Sequence, residues 1–196
     1  MIAAILLAAG ASSRMGRAKL ELDLGGRTVF ERSLSALLDS PVDRILVVQA
    51  IAGGSGVPAT DRVQLVTNPH AGDGLASSIR AGMAAVPGDT RAVLLALADK
   101  PLLQAETVTL LIDRFHQEGL PLVYPTYQGT QGHPVLVASE LFSELVRVEG
   151  DSGAKSLLRK FAERTVEVET DDEGILLDID TPEDYAKCVK RLEPPG

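Results

Sequence analysis

Cysteine is almost missing from this chain. Cys188 is the single one in 196 residues, which excludes an internal disulfide and any cysteine-clustered metal site. Long apolar runs are missing too: no stretch reaches the roughly 18 apolar residues of a membrane span. The apolar run from Ile2 is about six residues long, with no cationic stretch before it, so neither a secretory signal nor a membrane contact is expected. Basic charge is in deficit. Lys and Arg number 19 against 27 Asp and Glu, a formal net charge of −8, whereas a general nucleic-acid binder is usually basic. These absences leave a cytoplasmic protein without a nucleic-acid partner as the expectation. What is present is apolar: 45% of residues are hydrophobic, so the chain is globular, and its length suffices for one domain burying roughly 70% of its unfolded surface.

Apolar runs alternate with helix-like segments, the pattern of an α/β sheet. Strands are predicted at residues 3–7, 44–49, 63–66 and 92–96, short and rich in Val, Ile and Leu, as strands covered on both faces should be. Helices are predicted at residues 29–38, 77–86 and 106–117. Residues 50–61 hold three Gly and one Pro and read as a mobile loop or a degenerate crossover helix. In the second half, residues 122–125 and 134–138 read as strands around the polar turn 128–132. Residues 140–146 and 154–161 read as helices, 164–168 and 175–179 as strands, and 182–192 as a closing helix. Thr181 is placed as its N-cap, with Pro182 in the first turn and acids near the positive end of the helix dipole. A tail at 193–196 is expected to fray.

In open α/β sheets ligands lie outside the carboxyl ends of the strands, so the strand ends carry the chemistry. After the first strand, Ala8-Ala9-Gly10-Ala11-Ser12-Ser13 leads into Arg14, Arg17 and Lys19. Small residues let backbone N–H groups approach phosphate oxygens and the cations neutralise their charge, which makes this a polyphosphate cradle; a plain basic loop is the alternative. It is not a Walker loop, since Leu20 follows Lys19, nor the G-x-G-x-x-G of dinucleotide folds. Asp99 directly follows an apolar strand. It suits a hard ligand holding Mg²⁺ against a phosphate, or a cap for the helix after Pro101. Period-2 alternation puts Asp178 and Asp180 on one side of a strand, one as a second metal ligand and the other as a cap, or both as caps. From Asn68, the turn Gly72-Asp73-Gly74 leads to Ser77-Ser78 at a helix start. That start either offers N–H groups and hydroxyls to a ribose or phosphate or is a plain cap. His133, fixed between Gly132 and Pro134, reads as a phosphate contact, a proton carrier or a structural histidine. Gly150-Asp151-Ser152-Gly153-Ala154 is another glycine-flanked loop entering a helix.

In this order the segments resemble the MobA-like nucleotidyltransferases. The family pattern LAAG-x-S-x-R-M-G-x-x-K-L corresponds to residues 7–20, G-x-x-x-S-[IL]-x-x-G to 74–82, and L-x-D-x-P to 97–101. G-H-P corresponds to 132–134, G-D-x-G-A to 150–154 and D-I-D-T-P to 178–182. The resemblance is closest to the MocA-like molybdenum cofactor cytidylyltransferase branch. Ala9 stands where the guanylyltransferase branch usually has Gly, which implies CTP over GTP.

The resemblance implies a single Rossmann-like three-layer α/β/α nucleotidyltransferase domain over residues 1–192 with a mostly parallel sheet. Residues 1–100 would form the nucleotide half and 101–192 the acceptor half. It implies attack of a substrate phosphate on the α-phosphorus of CTP (or another NTP) with loss of pyrophosphate, the acceptor being molybdopterin or molybdenum cofactor. By position, the backbone of Ala8, Ala9 and Gly10 would meet the base, Leu7 would belong to the same nucleotide site, and Arg14 and Lys19 would neutralise the triphosphate. Asn68, Gly74, Ser77 and Ser78 would lie near the nucleotide. Asp99 and Asp180 would hold Mg²⁺, with Arg14, Lys19 and Asp99 catalytic. Gly132, His133, Asp151 and Gly153 would face the acceptor. Alternatives are transfer to a sugar or alditol phosphate, or a nucleotide-binding chaperone that delivers cofactor to a molybdenum hydroxylase; the resemblance also implies a transient molybdoenzyme partner. Lys100 departs from the branch, where Met is frequent, and so does Lys155, where Arg is common.

Overall fold

A computed structural model describes residues 1–10, 19–50, 57, 60–150 and 153–192. The cationic loop around Arg14, most of the segment 50–61, Asp151 and the tail lie outside the described residues. Eight strands form one sheet: β1 (Ile2–Leu7), β2 (Arg44–Ala50), β3 (Val63–Asn68), β4 (Ala92–Leu97), β5 (Leu122–Tyr127), β6 (Thr130–Gln131), β7 (Val135–Ala138) and β8 (Thr165–Glu169). The order is β3-β2-β1-β4-β7-β5, with β6 continuing as a hairpin on β5 and β8 also paired to β5. β1, β2, β3 and β4 are mutually parallel, β8 is parallel to β5, and β7 runs antiparallel to both of its neighbours. This mostly parallel mixed sheet with flanking helices is the expected α/β architecture. Among the described residues no helix is long and apolar enough to cross a membrane.

β1 is buried at all six positions because it is central and covered on both faces. Its alternate residues feed two cores. Ile2, Ala4 and Leu6 meet Phe30, Leu34 and Leu37 of helix α1 (Val29–Leu38) and Val108, Leu111 and Phe115 of α3 (Ala105–Glu118). Ala3, Ile5 and Leu7 meet Ala76 and Ile79 of α2 (Leu75–Ala84), with Leu145 of α4 (Phe142–Leu145) and Leu157 of α5 (Lys155–Lys160) beyond. α2 presses against the sheet at Gly82, where a Cβ would stand 2.6 Å from an Ile5 methyl. α1 begins on a capping box, in which Thr28 and Glu31 each bond the other's backbone N–H. The polar turn is a two-residue hairpin with Gln128 and Gly129 both at positive φ.

Two predicted elements differ. Residues 175–179 are not a strand. Asp172 accepts from Gly174 N–H and folds Glu173–Ile175 into a 3-10 turn. Gly174 then lies so close to the chain before α3 that a Cβ would stand 2.1 Å from the Leu102 carbonyl. The chain after the turn is held by single bonds, among them Ile179 N–H to the Asp99 carbonyl at 3.0 Å, and not by a ladder. The helix predicted at 140–146 is a 3-10 turn (Ser139–Leu141) running into the single turn of α4. The closing helix α6 (Pro182–Leu192) starts on Thr181 as expected: Thr181 Oγ1 accepts from Asp184 N–H, and Asp184 accepts from Thr181 N–H. α6 packs Tyr185, Cys188 and Val189 against Leu22, Leu24 and Val29, which draws Asp178 and Asp180 to the carboxyl edge of the sheet.

Candidate functional site

The site lies where β1, β2 and β4 end. Ala8 N–H bonds the Val48 carbonyl at 2.9 Å and Ala98 N–H the Leu7 carbonyl at 3.1 Å, so the three strand ends are tied just before their loops. Buried Ser33 of α1 donates to the Ala98 carbonyl at 2.8 Å. Together with Ile179 N–H on the Asp99 carbonyl, this fixes the peptide units on both sides of Asp99.

Lys19 opens a short 3-10 turn (Lys19–Glu21) and is 9% exposed. Its Nζ stands 2.7 Å from Asp99 Oδ2 and 2.7 Å from Asp180 Oδ1. Burial pulls the ammonium's pKa down, but the charges and hydrogen bonds of Asp99 and Asp180 outweigh it and hold the pKa above the ordinary lysine value. Asp99 Oδ1 is buried with no hydrogen-bond partner among the described residues. Asp99 therefore does not cap the following helix; Asp172 takes that role, accepting from Gln104 N–H and Thr107 Oγ1.

A cleft of about 370 Å³ opens over this cluster, lined by Leu7, Ala8, Ala9, Gly10, Lys19, Leu20, Gly74, Leu75, Ser78, Leu97 and Asp99 among others. Asn68 and Ser77 lie behind it. Asn68 Nδ2 donates to Ser77 Oγ at 2.9 Å and Ser78 Oγ at 3.0 Å, and all three residues are buried. They brace the wall, and Ser78 alone of the three lines the cleft. The start of α2 is partly used already, because Ala76 N–H bonds the Gly150 carbonyl.

A second pocket of about 290 Å³ adjoins the first and shares Leu75 and Leu97 with it. Lys100, Gln131, Gly132, His133, Gly153, Lys155 and Asp178 also line it. Gly132 allows a close approach, since a Cβ there would stand 2.5 Å from Ile175 Cγ1. Burial, then Lys100 and Lys155, push His133 down to about 4 against a hydrogen bond to the Leu95 backbone and the charge of Asp178, which raise it. The ring is neutral at pH 7, and its Nδ1 is buried without a partner among the described residues. Burial likewise lowers Lys100, against the opposing pull of Asp178, Asp99 and Asp180.

Lys19, Asp99 and Asp180 thus converge as named from the sequence, and Gly132, His133 and Gly153 share one pocket. Asp178 and Asp180 do not act on one side. With no strand there, Asp180 turns to Lys19 while Asp178 lines the second pocket. Arg14 and Asp151 lie outside the described residues. Lys100 and Leu97 were missed as pocket residues; the sequence signal was their position flanking Asp99 at a strand end. Among the described residues no three His, Cys, Asp or Glu gather as a metal site. Asp99 and Asp180 already face a single cation, and Asp99 keeps a spare buried oxygen. That donor set suits a hard divalent ion whose remaining oxygens come from phosphates and water.

The chain is similar to the molybdenum cofactor cytidylyltransferase of Escherichia coli, 28% identical over 194 residues and covering 95% of each chain. It is 30% identical over 192 residues to the purine catabolism protein PucB of Bacillus subtilis, covering 92% of each. Its fold matches Rv0371c of Mycobacterium tuberculosis in complex with manganese, with a TM-score of 0.80, 25% identity and coverage of 97% and 99%. The MobA-like NTP transferase domain profile matches residues 4–167, and the chain belongs to that family of nucleotidyltransferases.

Proposed function

We propose that this enzyme is a Mg²⁺-dependent cytidylyltransferase that joins CMP to molybdopterin or molybdenum cofactor and releases pyrophosphate. The observation that carries the reading is the pair of adjoining pockets at the carboxyl edge of the sheet, with Lys19 and Asp99 lining the first and Asp180 paired to Lys19. One pocket suits CTP and its neighbour suits the acceptor, so the two reactants meet where the charged residues stand. The cytidine choice rests on Ala9, which lines the first cleft, and on the likeness to the Escherichia coli enzyme.

The chemistry asks for positioning and charge, not for a covalent nucleophile. An acceptor phosphate oxygen forms a bond to the α-phosphorus of CTP, and the bond from that phosphorus to the bridging oxygen breaks. The electron pair leaves on pyrophosphate. Lys19 neutralises the triphosphate as this charge develops. Asp99 and Asp180 would hold Mg²⁺, which supplies Lewis-acid polarisation of the phosphate oxygens. The acceptor phosphate is ionised at neutral pH, so no strong general base is required. His133, neutral and half-buried, shapes the acceptor pocket.

The test measures pyrophosphate release with each NTP in turn, Mg²⁺, and molybdenum cofactor, a sugar phosphate or an alditol phosphate as acceptor. Release with CTP and the cofactor is expected. Release with a sugar or alditol phosphate alone would move the acceptor assignment and keep the reaction class; a delivery chaperone would release none.

A further inference from the structure

Lys100 is one of the few charged side chains that the fold buries, at 5% exposure. Unlike Lys19, it has no hydrogen bond or ion pair among the described residues. Taking an ammonium out of water is unfavourable unless an anion meets it. The carboxylate that shares its pocket, Asp178, does not approach within salt-bridge distance. The ammonium's outlet is the second pocket, which it lines together with Lys155, neutral His133 and the backbone at Gly132 and Gly153. Lys100 also follows Asp99 directly in the chain, so a group held on it stands beside the cluster that faces the first cleft.

We propose that Lys100 is the anion-recognising residue of the second pocket and selects an acceptor that presents an oxyanion there. This rests on the reading of that pocket as the acceptor site. A buried, preorganised ammonium holds an anion more tightly than an exposed one, because water does not compete for either partner. Lys155, exposed at the rim, contributes a weaker and salt-sensitive attraction. An acceptor lacking the oxyanion would leave Lys100 buried and unpaired, and would be rejected on that account.

The test uses the full chain with its first cleft saturated by a non-hydrolysable CTP analogue, titrated calorimetrically with inorganic phosphate and, in a second arm, with acetate. K100M and K100Q are compared with the wild type and with K155M. Phosphate binding is expected to weaken about ten-fold or more in K100M and K100Q and less than about three-fold in K155M, with the analogue's affinity unchanged. Tighter binding of acetate than phosphate would make the recognised group a carboxylate. Met and Gln keep a side chain of similar length in the pocket, and far-ultraviolet circular dichroism checks that each variant folds; either one suffices. Equal phosphate affinity in wild type and the Lys100 variants overturns the proposal. Failure of the analogue to bind the wild type overturns the cytidylyltransferase reading instead, and the difference between wild type and K100M in phosphate affinity still decides the role of Lys100.

Discussion

Lys19 Nζ stands 2.7 Å from the carboxylates of both Asp99 and Asp180, residues 80 and 161 positions away in the chain. One ammonium therefore occupies the position between two acids where a divalent cation would be drawn, and in the proposed mechanism the ammonium and the metal would compete for the same oxygens.

That competition makes Lys19→Met a variant with opposite effects on two readouts. Turnover should fall by roughly 2–4 kcal/mol of transition-state stabilisation, the scale of one preorganised electrostatic group. Mn²⁺ affinity without nucleotide, read by electron paramagnetic resonance, should rise because the carboxylates lose their internal cation. Unchanged kcat/KM together with unchanged Mn²⁺ affinity would reduce Lys19 to a structural ion pair.

Asp99 is the more buried of the two acids, with its side chain 21% exposed against 42% for Asp180. If Asp99 holds the metal as proposed, Asp99→Ala should lower kcat by about two orders of magnitude or more, since losing such a ligand removes several kcal/mol of charge stabilisation. Asp180→Ala should lower it less. CTP affinity measured without metal should survive in both. A larger loss at Asp180 would contradict the ranking.

His133 gives the fold a pH signature. Its pKa is held down to about 4 from an ordinary 6.5, so between those values the unfolded chain binds the proton that the folded chain refuses. Stability therefore rises with pH through that window, is complete above about 6.5, and is lost as pH falls toward 4. The full amplitude for one such group is about 3 kcal/mol. Urea unfolding at pH 7.5 and 5 should show this slope in the wild type and a shallower one in His133→Gln.

Gly132 separates packing from chemistry. A Cβ at this position collides with Ile175 at 2.5 Å, so Gly132→Ala should cost about 1–3 kcal/mol in thermal unfolding, the usual scale of overpacking. Acceptor KM should rise while CTP affinity holds, because Gly132 lines the second pocket and not the first.

The first half of the fold was legible because β1, β2 and β4 are buried on both faces and write that burial as unbroken apolar runs. Segment 175–179 carries the same apolar look for another reason. Its Ile175 and Ile179 are buried beneath the 3-10 turn and α6, and no periodicity within five residues distinguishes that from a strand. Asp99 was legible as a strand-end charge and Lys19 as a loop cation, whereas Asp180 was read from a strand that does not form, and it reaches Lys19 where α6 docks on Leu22, Leu24 and Val29. Asn68 and Ser77 carried polar signals that turned out to brace the wall of the cleft, because their hydrogen bonds close on each other. Lys100 was visible in the sequence, yet the pocket it lines is completed by Gly132, His133, Gly153 and Asp178, far away in the chain, which local pattern does not encode.

The most direct test follows the phosphorus. CTP labelled at the α-phosphate is incubated with the protein, Mg²⁺ and molybdenum cofactor, in parallel with CTP labelled at the γ-phosphate. The account predicts that α-label appears on the cofactor and γ-label in pyrophosphate, in equal amounts and only with metal present. Gamma label released as inorganic phosphate, or no transfer of α-label to any phosphorylated acceptor while a control enzyme turns over, would contradict it.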